Sequence, residues 1–278
     1  MTRWLPLSFA SLLAALAALL AALPARAEPP KRVVTVNLCL DQLALRLAAP
    51  GQLVAVSYLA TDPRLSVMAE QARQLPTVRA SAESILALSP DLVIVGKDQM
   101  PVVKHLLRRA GVTLLELPFA STLDGAEALV GEIGTALGRE DAARALVEDM
   151  QARRRAVMTP AQPSGVAAVL GANRATAGRG SLMNELLTLA GWRNLAAELG
   201  MRAFGRLPLE AVLAGQPDLL VLDGAANANP SRATEFIDHH ALKALAGRAR
   251  LASVPLRQTI CAGPDNLEVV RRLAEVRP

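Results

Sequence analysis

Glu83-Ser-Ile-Leu-Ala-Leu-Ser-Pro-Asp-Leu-Val-Ile-Val95 is matched without a gap by Glu210-Ala-Val-Leu-Ala-Gly-Gln-Pro-Asp-Leu-Leu-Val-Leu222. Each copy begins with a short amphipathic helical segment that ends before a proline, because proline cannot continue a helix. The Pro-Asp pair then opens an aliphatic run that is typical of a strand buried on both faces. A generic helix-turn-strand unit explains these features, but not the glutamate that stands seven residues before the proline in both copies. The repeat therefore predicts two structurally related α/β halves.

The same alternation of strands and helices extends on both sides of the repeat. Aliphatic runs at 33–37, 53–57 and 113–117 flank the first copy, and runs at 166–170 and 250–254 flank the second. Helical patterns lie between these runs, an order that predicts parallel sheets covered by helices on both faces.

The segment between the two halves has its own pattern. Residues 122–158 contain no proline and carry apolar residues at helical spacing, which predicts one long helix, with an interruption at Gly138 as the alternative. The predicted fold class is therefore α/β, with two Rossmann-like lobes whose parallel sheets are joined by a single long α-helix. The boundaries are an N-terminal lobe over 28–120, a linker helix over 121–158 and a C-terminal lobe over 159–278.

Residues 1–27 have the pattern of a secretory signal peptide. Arg3 is followed by a long apolar stretch, and the segment closes on Ala25-Arg26-Ala27, which predicts cleavage after Ala27 and a periplasmic protein. A retained membrane anchor is the alternative, since the apolar stretch is almost long enough to span a bilayer.

Composition excludes several classes of protein. The chain has 278 residues, of which 52% are hydrophobic and 20% charged, so it is neither disordered nor fibrous. A net charge of +5 does not suggest a nucleic-acid partner. The only two cysteines, Cys39 and Cys261, leave three readings open. They are buried or free thiols, a disulfide formed in an oxidising compartment, or two ligands for a soft metal.

Taken together, these features resemble the periplasmic substrate-binding proteins of ABC importers for ferric siderophores, haem and cobalamin. The resemblance rests on the strands at 32–37 and 52–57, on the repeat, and on residues 180–194, and it covers essentially all of the chain after residue 27. It implies a monomer that holds a ligand between two lobes and delivers it to a transmembrane permease dimer. In such proteins a glutamate on each lobe docks onto permease arginines, and by motif position these would be Glu83 and Glu210. The alternative is that each glutamate only supports the positive end of its helix.

Ligands of open parallel sheets bind beyond the carboxyl ends of the strands, so residues that follow the predicted strands are the candidates for the cleft. Several are cations, as the carboxylate or catecholate oxygens of a metal chelate would need. Gln99 and Phe119 also follow strands. The predicted ligand-binding residues are Asn37, Cys39, Tyr58, Arg79, Lys97, Asp98, Arg174, Arg179, Phe204, Arg206, Asp223 and Cys261.

The sequence thus predicts a binding protein for a metal chelate, with no catalytic residues and no cofactor of its own. Its few aromatic residues favour a ferric siderophore over haem or cobalamin, because flat macrocycles bind well to aromatic surfaces. A secreted two-domain enzyme is the alternative, although no HExxH, GxSxG, P-loop or GxGxxG motif occurs. A further alternative is a sensor that binds the ligand but serves a receptor instead of a permease. Because a long linker helix resists bending, we expect the lobes to close by only a small angle.

Overall fold

The computed structural model describes residues 28–158, 163, 165–223, 235 and 239–277. The predicted signal peptide over 1–27 lies outside the described residues. Within the described part of the chain, no helix is long and apolar enough to cross a membrane.

The N-terminal lobe is built on a five-stranded parallel sheet in the order β3-β2-β1-β4-β5. Its central strands are aliphatic because they are covered on both faces. Val33 and Ile94 pack into one hydrophobic core, whereas Val34 and Val93 pack into another on the opposite face. The elements are β1 (Val33–Thr35), α1 (Leu38–Leu47), β2 (Leu53–Ser57), α2 (Ala69–Ala72), β3 (Thr77–Val78), α3 (Ala82–Leu86), β4 (Leu92–Gly96), α4 (Pro101–Arg109) and β5 (Thr113–Leu117).

The connecting segment differs from the single helix predicted over 121–158. It forms α5 (Leu123–Leu137) and α6 (Glu140–Val157), which pack against each other. The break lies at Gly138, whose φ of +67° is a left-handed conformation that glycine adopts readily at a helix end.

Side-chain contacts show that the two helices run antiparallel. Arg154 near the end of α6 pairs with Asp124 at the start of α5, and Gln151 donates to Glu127 at 2.8 Å. At the other end Arg139 donates to the Leu47 carbonyl of the N-terminal lobe at 3.2 Å. Helix α6 therefore connects the lobes, and the segment is two helices and not the single continuous helix predicted.

The C-terminal lobe contains a four-stranded parallel sheet in the order β11-β10-β6-β8 and an antiparallel pair, β7 and β9. Trp192 is buried beneath this sheet and donates its indole N–H to the Leu273 carbonyl at 2.8 Å. The two lobes and their parallel sheets confirm the predicted fold class. The elements are β6 (Val166–Leu170), β7 (Ala175–Ala177), α7 (Leu182–Leu189), β8 (Arg193–Asn194), α8 (Leu195–Glu198), β9 (Phe204–Arg206), α9 (Leu209–Gly215), β10 (Leu219–Asp223), α10 (His240–Ala246), β11 (Arg250–Val254) and α11 (Asn266–Glu275).

The lobes share one hydrophobic core on the helical side. A single cluster of buried residues runs from Val33 and Leu43 through Ile133 and Met150 to Trp192. Arg154 also pairs across this junction with a C-terminal-lobe carboxylate on α7 at 3.1 Å. The lobes are therefore packed together along their helices, and a cleft lies between them at the carboxyl ends of β1, β4, β5 and β6.

Candidate functional site

A cavity of about 320 Å³ lies between the lobes, and its wall is mostly apolar. We call it the interlobe cavity. Phe119, which follows β5, enters it from the N-terminal lobe, and Phe204 on β9 enters it from the C-terminal lobe. The two rings are 63% and 73% exposed, which is unusual for side chains of this size. Exposed aromatic rings in a cleft are typical of a ligand site.

The antiparallel pair β7–β9 sets the position of Phe204. Phe204 lies opposite Ala177 and Arg206 lies opposite Ala175, and residues directly opposite each other share one face of a sheet. Both alanines line the interlobe cavity, so their small side chains leave room in front of the phenyl ring. Arg206 is exposed on the same face. This strand pair therefore presents an apolar ring with a cation beside it.

A second cavity, of about 210 Å³, lies against the N-terminal lobe, and we call it the N-lobe cavity. Its polar residues include Asn37, Lys97 and Asp98, and Phe119 lines both cavities. The Asn37 side chain caps α1 by accepting the N–H groups of its first turn, and it donates to Gln99 at 2.9 Å. The cleft thus has an almost wholly apolar region on one side of Phe119 and, on the other, a region in which a few polar side chains stand among apolar ones.

Cys39 and Cys261 form a disulfide that joins the lobes, with their Cα atoms 5.2 Å apart. Of the three readings of the two cysteines, the structure therefore selects the disulfide. It corrects the assignment of either sulfur as a metal ligand or as a free thiol in the site. The pairing arises because the first turn of α1 meets the loop before α11. Within the described residues, no group of three or more His, Cys, Asp and Glu side chains could hold a metal ion.

Several other predicted residues with described side chains line neither cavity, and Arg206 and Cys261 are among them. Tyr58 and Arg79 follow β2 and β3 and contact each other, with the guanidinium carbon 5.9 Å from the ring centroid. Arg174 is exposed, and Arg179 donates to the Ala197 carbonyl at 3.3 Å. Asp223 ends β10, and its side chain lies outside the described part of the structure.

The two repeat glutamates occupy equivalent positions. Glu83 is exposed in the first turn of α3, which precedes β4, and Glu210 is exposed in the first turn of α9, which precedes β10. Each lobe therefore carries one exposed carboxylate at the start of the helix that leads into a central strand of its sheet.

A buried carboxylate beneath the cleft was not foreseen from the sequence. Asp41 on α1 is fully buried and accepts hydrogen bonds from the hydroxyls of Thr35 on β1 and Ser57 on β2. Burial raises the pKa of Asp41 to about 6, although the hydrogen bonds from Ser57 and Thr35 act in the opposite direction. The carboxylate joins α1 to the ends of both strands at the base of the cleft.

Several cavity-lining residues also gave no signal in the sequence. Leu256, Thr259 and Ile260 come from a loop between β11 and α11, while Leu182 and Met183 begin α7. Apolar residues in a helix or a short loop are usually core, so only the tertiary arrangement assigns them to the cleft.

The chain matches the family model described as "Periplasmic binding protein" over residues 33–249. It is 26% identical over 215 residues to a cobalamin-binding protein of Halobacterium salinarum, a match that covers 75% of this chain and 58% of that protein. The chain thus spans less than two thirds of that relative's length.

Solved structures agree with this match. The periplasmic haem-binding protein BhuT, in complex with two haems, is 27% identical with a TM-score of 0.72. The haem-binding protein RhuT of Roseiflexus sp. RS-1, in its apo form, is 25% identical with a TM-score of 0.69. Each comparison covers 88% of this chain and 97% of the other. Two lobes, a cleft between them and a family model that covers most of the sequence lead to one conclusion: the chain belongs to the periplasmic binding protein family.

Proposed function

We propose that this protein captures a metal chelate outside the cytoplasm and delivers it to the permease of an ABC importer. The proposal rests chiefly on one observation, the pair of exposed phenylalanines that enter the same cavity from opposite lobes. Membership of the family supports a binding protein over an enzyme and supports the extracytoplasmic location. The monomeric state stays a prediction.

The shape of the cleft favours a chelate with one broad apolar face. The whole sequence contains few aromatic residues, and that count by itself favours a ferric siderophore over haem or cobalamin. Two of those few, Phe119 and Phe204, line the cavity. Their location matters more than the total, because a flat macrocycle needs stacking surfaces only where it binds. A tetrapyrrole-type chelate therefore fits this site better than a fully hydrophilic siderophore.

The polar part of the cleft fits the acidic edge of such a chelate. Lys97 is exposed in the N-lobe cavity, and Arg206 is exposed beside Phe204. Lysine and arginine both bind carboxylates, and arginine can donate two parallel hydrogen bonds to one carboxylate. The apolar face would then contact the two phenyl rings, and the carboxylate edge would point to these two cations.

Delivery requires a surface that both lobes present to the two halves of a permease. Glu83 and Glu210 supply one exposed carboxylate on each lobe at equivalent positions of the repeat. Two matching negative charges suit a two-fold symmetric partner with a cation on each half. We therefore assign both residues to permease docking and not to ligand binding.

The ligand is tested by titrating the purified protein separately with haemin, cyanocobalamin and a ferric hydroxamate siderophore. We expect saturable binding of one macrocycle. Burying the exposed Phe204 ring against a ligand contributes about 2 kcal/mol, so F204A is expected to weaken binding about 30-fold. L199A is the control, because Leu199 is 53% exposed and lines neither cavity. Preferential binding of the siderophore, or equal affinities of F204A and the unchanged protein, would reject the macrocycle assignment.

Docking is tested by charge reversal. The double variant E83K/E210K is expected to bind the chelate with unchanged affinity but to lose transport in cells that depend on this importer. E148K is the control, since Glu148 is an exposed carboxylate on α6 outside both docking positions. Normal transport by the double variant would contradict the docking assignment.

A further inference from the structure

The disulfide between Cys39 and Cys261 joins parts of the chain that are 222 residues apart. Cys39 is in the first turn of α1, lines the N-lobe cavity and is partly exposed. The two neighbours of Cys261 line the cleft as well, Ile260 in the interlobe cavity and Ala262 in the N-lobe cavity. The covalent bond between the lobes is therefore part of the wall of the ligand cleft.

Both ends of the bond are held by rigid structure. On the N-terminal side, α1 is anchored by buried residues such as Leu40 and Leu43. On the C-terminal side, the buried Asn266 side chain accepts the Gly263 N–H at 2.6 Å and donates to the Cys261 carbonyl at 3.0 Å. A bond between two such rigid segments leaves little freedom for one lobe to move relative to the other.

Non-covalent contacts reinforce the same junction. Arg46 on α1 pairs with Asp265 at the start of α11 at 2.5 Å, and Arg257 donates to the Pro63 carbonyl at 3.3 Å. The chain itself connects the lobes elsewhere, through α6, which packs against α5 and α11. The lobes are thus attached at two separate places. Together these two attachments resist rotation of one lobe relative to the other about any axis that does not pass near both of them.

We propose that the Cys39–Cys261 disulfide sets the width of the cleft and preorganises it for the ligand. This inference rests on the proposed function only in taking the cleft as the ligand site. A cleft of fixed width loses less conformational freedom on binding, so the oxidised protein binds more tightly than the reduced one. It also predicts a small closure, by a route other than a stiff linker helix.

A measurement without ligand tests the width directly. Spin-labelled unnatural amino acids at the exposed positions of Glu83 and Glu210 report the distance between the lobes by pulsed electron resonance. We expect a narrow distance distribution in the oxidised protein and a broader, shifted one in C39S/C261S. R46Q is the matched control, since it removes a neighbouring contact but leaves the bond, and its distribution should stay narrow. Identical distributions for the oxidised protein and C39S/C261S would overturn the proposal, as would two free thiols in protein prepared without reductant.

Reduction of the folded protein covers the case in which C39S/C261S does not fold. Dithiothreitol supplies two electrons and two protons, so the disulfide becomes two thiols and the reagent becomes a cyclic disulfide. We expect the same broadening after reduction. With haemin as the probe, the apparent affinity should fall about tenfold where one molecule in ten keeps the binding-competent width. Haemin binding that is absent from both forms would reject haem as the macrocycle of the proposed function, whereas an unchanged distance distribution would reject the role of the disulfide.

Discussion

Replacing Asp41 by asparagine is expected to remove a pH dependence of stability that the buried carboxyl group creates. Asp41 has no exposed surface, and burial raises its pKa from 3.8 to about 6. The folded protein therefore holds this proton more tightly than the unfolded chain does. As a result the unfolding free energy falls as the pH rises between about 4 and 6.

The size of the effect follows from the two pKa values. The interval between 3.8 and about 6 corresponds to about 3 kcal/mol, at about 1.4 kcal/mol for each pH unit. Well below pH 3.8 the carboxyl group is protonated in both states, and well above pH 6 it is ionised in both. The loss of stability is therefore complete by pH 7.

Urea unfolding followed by circular dichroism at pH 4 and pH 7 measures the effect. Between these two values the unchanged protein should lose about 2 kcal/mol more than D41N, because part of the loss already lies below pH 4. S57A is a second variant with a directional expectation. The Ser57 hydroxyl donates to Asp41 and lowers its pKa, so removing this hydroxyl should extend the loss to higher pH. Equal losses in the unchanged protein and D41N would refute the reasoning.

Two further changes test the packing that positions the cleft. G134A should lower the unfolding free energy by about 1–3 kcal/mol in urea titrations, because the added Cβ would stand 2.2 Å from the Ala143 Cβ. G131A on the same helix meets nothing within 4 Å and should raise the stability by about 1 kcal/mol, so a gain in both variants would contradict the packing of α5 on α6. W192F should lower the unfolding free energy by about 1–3 kcal/mol in the same assay, because the Leu273 carbonyl loses its indole donor, and an unchanged midpoint would argue against that hydrogen bond.

The repeat was the most reliable guide to the fold. Its two copies correspond to α3–β4 and α9–β10, and each strand lies inside a parallel sheet. The aliphatic pattern and the Pro-Asp pair are local features, so they can be read from sequence without knowledge of tertiary contacts. The break at Gly138 is harder to read, because a glycine between two helical patterns is compatible with a continuous helix. Only the three-dimensional structure, in which α5 and α6 pack antiparallel, shows that the helix is interrupted there.

Most of the site that could be predicted follows parallel strands. Asn37, Lys97, Asp98 and Phe119 do so, and the carboxyl ends of parallel strands meet at one edge of a sheet. Phe204 is instead predicted from its loop before α9, and it opens the antiparallel strand β9. Tyr58 and Arg79 obey the same rule, but they follow β2 and β3 and lie outside both cavities.

The disulfide could not be chosen from sequence. No local feature of the sequence shows that the start of α1 lies beside the loop before α11. The spacing of the two cysteines alone does not decide among free thiols, a disulfide and a pair of metal ligands. The buried carboxylate at Asp41 was missed for a similar reason, since its partners Thr35 and Ser57 come from two different strands.

The most direct test of the interlobe site is anomalous scattering from crystals of the protein loaded with the chelate that saturates it. Data collected at the absorption edge of iron or cobalt locate the metal independently of any assumption about the ligand. We expect one anomalous peak between the lobes, beside Phe119 and Phe204. A peak on the outer surface of either lobe would contradict the account.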